Sequence, residues 1–356
     1  MPNSTVKDMT NGTIWKHLVS FAFPLFIGNI FQQLYNTVDS IVVGNFVGAD
    51  ALGAVTSTIP VVITLIGLFI GLTMGASVVI SQYFGAKDIP NLRKSTHTAV
   101  VSAVIMAIVI SAIGYFSTPY LLRMMNTPES VFREAVVYLQ IFSLGLGGTM
   151  LYNMGSAILR AVGDSKRPLY FLILASILNI FLDLLFVINF GLGVAGVAYA
   201  TIIAQLVSGI IIFWILFNSH EVHSLSWHEM KIDTRILRRI ISVGFPAGFQ
   251  MAVTSFSNVF VQSYINAYGA ASTAGWGIYA RVDAFVILPT QSMAMAVTTF
   301  VGQNAGARKP ERIRKGLLNG LCISWGISAC IITCLYIFAP YIASLFNQDA
   351  AVLGFA

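Results

Sequence analysis

Three acidic residues, Asp39, Asp183 and Asp283, interrupt long apolar stretches of this chain, and they are where chemistry is to be sought. A carboxylate at mid-bilayer costs ~2.5–3.5 kcal/mol on insertion scales, so one kept there needs a partner or a task. Gln32, Asn36 and Asp39 fall at i, i+4 and i+7, a polar stripe on an otherwise apolar helix. Asn179 and Asp183 repeat the i, i+4 pairing. Carboxylates among amides and hydroxyls make an oxygen-only environment, which suits a proton or a hard cation such as Na⁺. Asp283 lies two residues from Arg281, a spacing that sends the two side chains to different faces, and a structural role at the periphery is expected for it.

The elements that must position these groups follow from composition. Hydrophobic residues make up 56% of the chain and charged residues 10%. The apolar stretches repeatedly exceed the roughly 20 residues that cross a bilayer as a helix. Spans are expected at 14–43, 51–80, 95–117, 131–160, 168–190, 194–217, 236–266, 277–303 and 316–341, which makes an all-α polytopic membrane protein with about nine transmembrane helices. No cleaved leader is expected, because the first apolar stretch is long and carries Pro24 and Asp39.

The net charge of +6 does not indicate a nucleic-acid partner, because the basic residues follow alternate loops. Lys7 and Lys16 precede the first span; Lys87, Arg93 and Lys94 follow the second; Arg160, Lys166 and Arg167 follow the fourth. Lys231, Arg235, Arg238 and Arg239 occupy the central loop, and Arg308, Lys309, Arg312, Arg314 and Lys315 follow the eighth. The positive-inside rule puts that side and the N-terminus in the cytoplasm of an inner-membrane protein. At ~1.5 Å per residue, Asp39 and Asp183 then lie roughly 6–11 Å inside the outer boundary, with Tyr138 and Thr201 at a similar level and Asn153 deeper.

The chain is also written twice. Gln82, Gly85, Ala86, Lys87, Arg93 and Lys94 return as Gln303, Gly306, Ala307, Arg308, Arg314 and Lys315 about 221 residues later. Gly48-Ala49, Met74 and Asn126 return as Gly269-Ala270, Met295 and Asn347, and Phe23-Pro24 returns as Phe245-Pro246 one residue out of step. Six helices separate the copies, and an even number makes the repeats parallel. Residues 1–217 are expected to form one six-helix lobe, 218–235 a cytoplasmic linker and 236–356 part of a second lobe of about three helices. By the same offset Ala356 maps to about residue 135, so the second repeat is expected to be incomplete and the chain to be part of a longer protein.

Other features carry less chemistry. Gly67, Gly71 and Gly75 form a small-residue face for close helix contact. His220, His223 and His228 with Glu221 and Glu229 are expected to be solvated in a mobile linker. Cys322, Cys330 and Cys334 lie on one predicted helix and are expected to be packing residues. Pro24 and Pro246 remove a backbone hydrogen bond early in matching helices and permit a bend. Neither a His/Glu metal motif nor a paired nucleophile and base occurs in the helices, so an enzyme is not expected.

These residues resemble the multidrug and toxic compound extrusion (MATE) family in its bacterial DinF-like branch. The likeness runs the length of the chain through Phe23-Pro24 with Asp39 downstream, the turns Gln82-Tyr83-Phe84-Gly85-Ala86-Lys87 and Gln303-Asn304-Ala305-Gly306-Ala307-Arg308, the stretch Leu159-Arg160-Ala161-Val162-Gly163-Asp164, and Asn179 with Asp183. It implies two six-helix lobes around a central cleft. It also implies cation coupling at Asp39, Asn179, Asp183 and Thr201 with Tyr138 and Asn153 beside them, a substrate pocket at Gln32, and a hinge at Pro24; Asn36 and Asn153 are assigned to the substrate pathway. The acidic residue that the NorM and eukaryotic branches carry in the seventh helix is absent, with Gln250, Thr254 and Ser255 there instead, so coupling through the second lobe is not expected. The implied activity is Na⁺- or H⁺-coupled antiport of organic cations, drugs or other amphipathic molecules by a monomer without cofactor. The alternative is a flippase for lipid-linked saccharides, which would need a more basic cavity.

Overall fold

In the computed structural model, residues 6–344 are described apart from Asn126, His220 and Gly269. Ten α-helices follow in order: α1 (Ile14–Val42), α2 (Ala49–Gly85), α3 (Ile89–Met124), α4 (Glu129–Ala161), α5 (Lys166–Leu184), α6 (Gly193–Asn218), α7 (Thr234–Ala267), α8 (Ala270–Val286), α9 (Leu288–Gly306) and α10 (Pro310–Ser344). Eight helical segments among the described residues are long and apolar enough to cross a membrane, with α8 and α9 counted in one of them. The expected eighth span is therefore two helices. Pro289, at the start of α9, has no amide hydrogen for the preceding turn, and its ring crowds the carbonyl four residues earlier.

Among the first six helices, α4 packs against α2, α3 and α6, while α1 packs on α5 and α5 on α6. The main apolar core is shared by α2, α3 and α4, with Phe69, Ile80, Leu92, Leu139, Leu146 and Met150 fully or nearly fully buried. The later helices join through two seams, α7 against α2 and α9 against α1 and α2. In the first, Gly71 and Gly75 meet Gly244 and Gly248 so closely that a side chain at Gly75 would strike the Ile240 carbonyl. Gly67, the third member of the small-residue face, has open space at its Cβ position. In the second, Leu18, Phe21 and Leu25 of α1 bury against Met293, Ala296 and Phe300 of α9.

The repeat is visible in the backbone. Lys87 and Arg308, about 221 residues apart, both take left-handed conformations, at φ 58° and 56°. Each ends its helix with the same pair of bonds. Lys87 N and Asp88 N donate to the carbonyls of Phe84 and Tyr83, and Arg308 N and Lys309 N to those of Ala305 and Asn304. The two turns also face each other, since a Cβ on Gly85 would land on the Gln303 carbonyl and one on Gly306 on the Gln82 carbonyl.

Two expectations need correction. The linker is docked in part rather than wholly solvated: His223 is fully buried, Ser226 N donates to His97 Nε2 at 3.0 Å, and Asp233 N donates to Thr98 Oγ1 at 3.0 Å, while His228 and Glu229 stay exposed as expected. The buried polar residues His97 and Thr98 on α3 supply the acceptors that make docking favourable, a tertiary pairing invisible to local composition. Cys322, Cys330 and Cys334 are exposed on α10 rather than packed inside. Helix α1 runs without interruption through Pro24, which is buried. His220 lies outside the described residues, as do Asn347, Gly269 and the side chain of Arg281.

Candidate cation site

Asp39 and Asp183 are brought together by α1 and α5, and both helices finish immediately beyond the carboxylates in a π-helical turn, Val43–Val47 and Leu185–Asn189. The two turns touch each other. Around them Val42, Val43, Val187, Val194 and Val197 form an apolar cluster with Tyr138 packed against it. The wider π turn lets each helix end without carrying its carboxylate away from the other. The first expected span ends at 43, so the turn at Val43–Val47 falls where a loop is expected, whereas Leu185–Asn189 falls inside the expected span 168–190.

The Asp39 carboxyl lies beside the Asp183 carboxyl and the Thr201 hydroxyl. Asp183 is fully buried and Asn179 nearly so, and the Asn179 amide donates to Thr201 Oγ1 at 3.4 Å. Tyr138 lies within electrostatic range of both carboxyl groups, Asp39 more strongly. Both oxygens of Asp183, Oδ1 of Asp39 and Oδ1 of Asn179 are buried with no donor among the described residues. Two adjacent carboxyl groups in a low-dielectric setting repel if both are ionised, and they are reconciled by a shared proton or a cation between them. The donor set is all oxygen, which fits H⁺ or Na⁺.

Tyr35 and Gln205 were not singled out by the sequence, yet they belong to the same layer. Tyr35 is buried on α1 with Gln32 and Gln205 beside its hydroxyl, and Gln205 Oε1 is a further buried acceptor without a donor. Tyr35 precedes Asp39 by one helical turn, which was the available signal. Gln32 and Asn36 are exposed. Asn153 is set apart on α4, where its amide donates to the Thr149 carbonyl at 2.8 Å. Asp283 is half-buried near the end of α8 and is not among the groups that act on Asp39 or Asp183.

At the opposite, basic end the halves are sealed. Gln303 accepts from Met9 N at 2.9 Å and donates to the Ala161 carbonyl at 3.1 Å. Arg312 donates to the carbonyls of Met9 and Gly12 at 3.1 and 2.9 Å, and Lys309 to that of Thr10 at 2.8 Å. Gly163, at φ 89°, leaves room for the Lys7 backbone. The stretch Leu159–Asp164 thus serves this seal. The seal continues up α1 to Asn29, which donates to Ser292 at 3.1 Å, and beyond it Gln32 and Asn36 lie uncovered.

An all-helical bundle of apolar spans, repeated in parallel and carrying a buried oxygen-rich carboxyl pair, is the architecture of a multi-pass membrane transporter. The MatE family model matches residues 24–185 and 246–356, and the chain belongs to this family. The probable multidrug resistance proteins YpnP and YoeA of Bacillus subtilis are 33% and 31% identical over 351 and 353 residues, covering 98% and 97% of this chain and 78% and 76% of theirs. A solved outward-facing conformation of a multidrug resistance MATE family transporter of the MOP superfamily superimposes with a TM-score of 0.92 at 28% identity, over 99% of this chain and 79% of that one.

Proposed function

We propose that this chain is a cation-coupled antiporter of the cytoplasmic membrane that exports amphipathic or cationic small molecules, with H⁺ or Na⁺ held between Asp39 and Asp183. The observation that carries this reading is the adjacency of two carboxyl groups whose buried oxygens lack donors within the protein. Asn179, Thr201 and Tyr138 complete the cation's surroundings, while Gln32 and Asn36 line the approach for substrate and Pro24 permits α1 to bend. Residues 1–217 act as the lobe that holds the ion, with the basic loops and the N-terminus in the cytoplasm. Proton, Na⁺ and a cationic substrate would compete for the same pair of negative charges, and that competition couples their fluxes without requiring them to touch. The amides and the one carboxylate of α1 suit a cationic guest, whereas a lipid-linked pyrophosphate calls for guanidinium or ammonium groups.

The test is efflux from inverted vesicles under an imposed H⁺ or Na⁺ gradient, with protein level controlled. Asp39→Asn keeps the side-chain size, fixes the group neutral, and is expected to abolish gradient-driven efflux while insertion is preserved. Coupled efflux at the wild-type rate by this variant contradicts the proposal.

A further inference from the structure

A groove of about 510 Å³ lies between α3 and α7, with Leu72 of α2 in its wall. Ile105 and Val109 of α3 and Ile241, Phe245 and Phe249 of α7 give it an almost wholly apolar lining, all five side chains remaining exposed. Along α7 the lining runs from Leu237 to Ala252, about 22 Å at the helical rise. That exceeds half of a ~30 Å hydrocarbon core, starts at the basic end of the helix, and so covers the leaflet bordering the basic loops. The Asp39–Asp183 layer lies toward the other surface and is separate.

The groove ends in positive charge. Arg238 lies on α7 on the same helical face as Phe245 and Phe249, seven and eleven residues on. Lys94 stands on α3 in the same relation to Ile105, and Lys231 immediately precedes Ile232, which lines the mouth. All three are exposed, and among the described residues none forms an ion pair with a carboxylate. Arg239 behaves differently, since it donates to Gln82 and to the Tyr83 hydroxyl. Of the carboxylates near the mouth, Asp233 accepts from Arg235 N and Ile236 N at 3.0 and 3.1 Å and caps α7, and Glu229 Oε2 lies 3.9 Å from His97 Nε2. Thr98, which accepts from Asp233 N, ties the linker across the end of the groove.

An apolar slot one leaflet deep with unpaired cations at its water-facing end matches a molecule with a hydrocarbon chain and an anionic head. We propose that this groove binds an anionic glycerophospholipid, its acyl chain between α3 and α7 and its phosphate on Lys94, Lys231 and Arg238. A cationic amphiphile is repelled by the rim, and a zwitterionic lipid gains little from it. The bound lipid bridges α3 of the first repeat and α7 of the second, beside the seam where Gly71 and Gly75 meet Gly244 and Gly248. It therefore holds the two halves together at the basic end. The site is independent of the transport reading, since it needs neither Asp39 nor a gradient.

The experiment titrates the purified, delipidated protein with dioleoyl phosphatidylglycerol or dioleoyl phosphatidylcholine and counts bound lipid by native mass spectrometry. Phosphatidylglycerol is expected to saturate a site at concentrations at which phosphatidylcholine does not. Removing each charge is expected to weaken it about five-fold, so Lys94→Gln with Arg238→Gln lowers affinity roughly 25-fold. Arg314→Gln with Lys315→Gln, exposed basic residues on α10 away from the groove, should change nothing. Ile105→Trp fills the slot without altering charge and should also expel the lipid. Equal retention of the two lipids, equal losses in the two double variants, or full binding by Ile105→Trp each overturns the proposal.

Discussion

Helices α1 and α7 share a Phe-Pro pair near their basic ends and an asparagine further out, Asn36 and Asn258, but they diverge one turn later. Where α1 has Asp39, the second copy has Phe260 or Val261, depending on where the one-residue slip between repeats falls. Around Asp39 the chain builds Asp183, Asn179, Thr201 and Tyr138. At the matching level of α7, Asn258 is exposed and Val261 is 41% exposed. Duplication supplied two equivalent scaffolds, down to the matching left-handed turns at Lys87 and Arg308. Among the described residues only the first carries a buried pair of carboxyl groups, so the proposed coupling resides in the first repeat.

The largest expected effect breaks that asymmetry directly. Asp39→Asn should lower gradient-driven efflux by two orders of magnitude or more, on the order of 3 kcal/mol of lost ionic stabilisation. Adding Val261→Asp to that variant should fail to restore transport, because α7 offers no second carboxyl at that level; restored efflux would mean that the two helices are interchangeable. Asp183→Asn comes next, with a loss of about ten-fold or more, since one partner of a charge-assisted pair is worth ~1.5–3 kcal/mol. Val261→Ala should stay within about two-fold, as expected for an exposed apolar side chain.

A comparison between the two turns at the basic end ranks below these. Gln303 is fully buried and bonds to Met9 and Ala161, whereas its counterpart Gln82 is half-buried and bonds to Arg239. Gln303→Leu leaves the Met9 amide and Ala161 carbonyl without these partners, at about 1–3 kcal/mol. Distances between spin labels on the ends of α2 and α9 should then shift toward a population open at the basic side. Gln82→Leu should shift it less.

Much of this was legible in the sequence, and the exceptions have physical causes. The spans, the repeat and the group Asp39, Asn179, Asp183, Thr201 and Tyr138 follow from hydropathy and from depth counted along helices, because in a membrane a polar side chain is conspicuous. Tyr35 and Gln205 escaped because amphipathic residues raise no alarm in an apolar stretch. The π turn at Leu185–Asn189 has no compositional mark, being apolar up to Asn189, whereas Val43–Val47 carries Gly44 and Asn45. The docked linker escaped because its acceptors, His97 and Thr98, lie more than a hundred residues away.

That linker yields the smallest predicted effect. His223 is buried against Glu221, Arg167 and Asp164, and burial together with the Arg167 charge pushes its pKa down from 6.5 to about 4. Once undocked it regains an ordinary value, so docking is fully stable above pH 6.5 and weakens as pH falls toward 4, where the undocked form binds the extra proton. Amide exchange across residues 221–233 should accelerate over that interval, and His223→Leu should remove the histidine's share of the dependence.

The most direct measurement is made without a membrane. In weakly buffered detergent solution, a cationic substrate is added to the purified protein and the released protons, or displaced radioactive Na⁺, are counted. The wild-type protein should release about one cation equivalent per substrate bound, by reciprocal linkage at a shared pair of carboxyl groups. Asp39→Asn should bind substrate more weakly and release nothing, whereas Val261→Ala should match wild type. Undiminished cation release by Asp39→Asn would contradict the assignment of the coupling ion to Asp39 and Asp183.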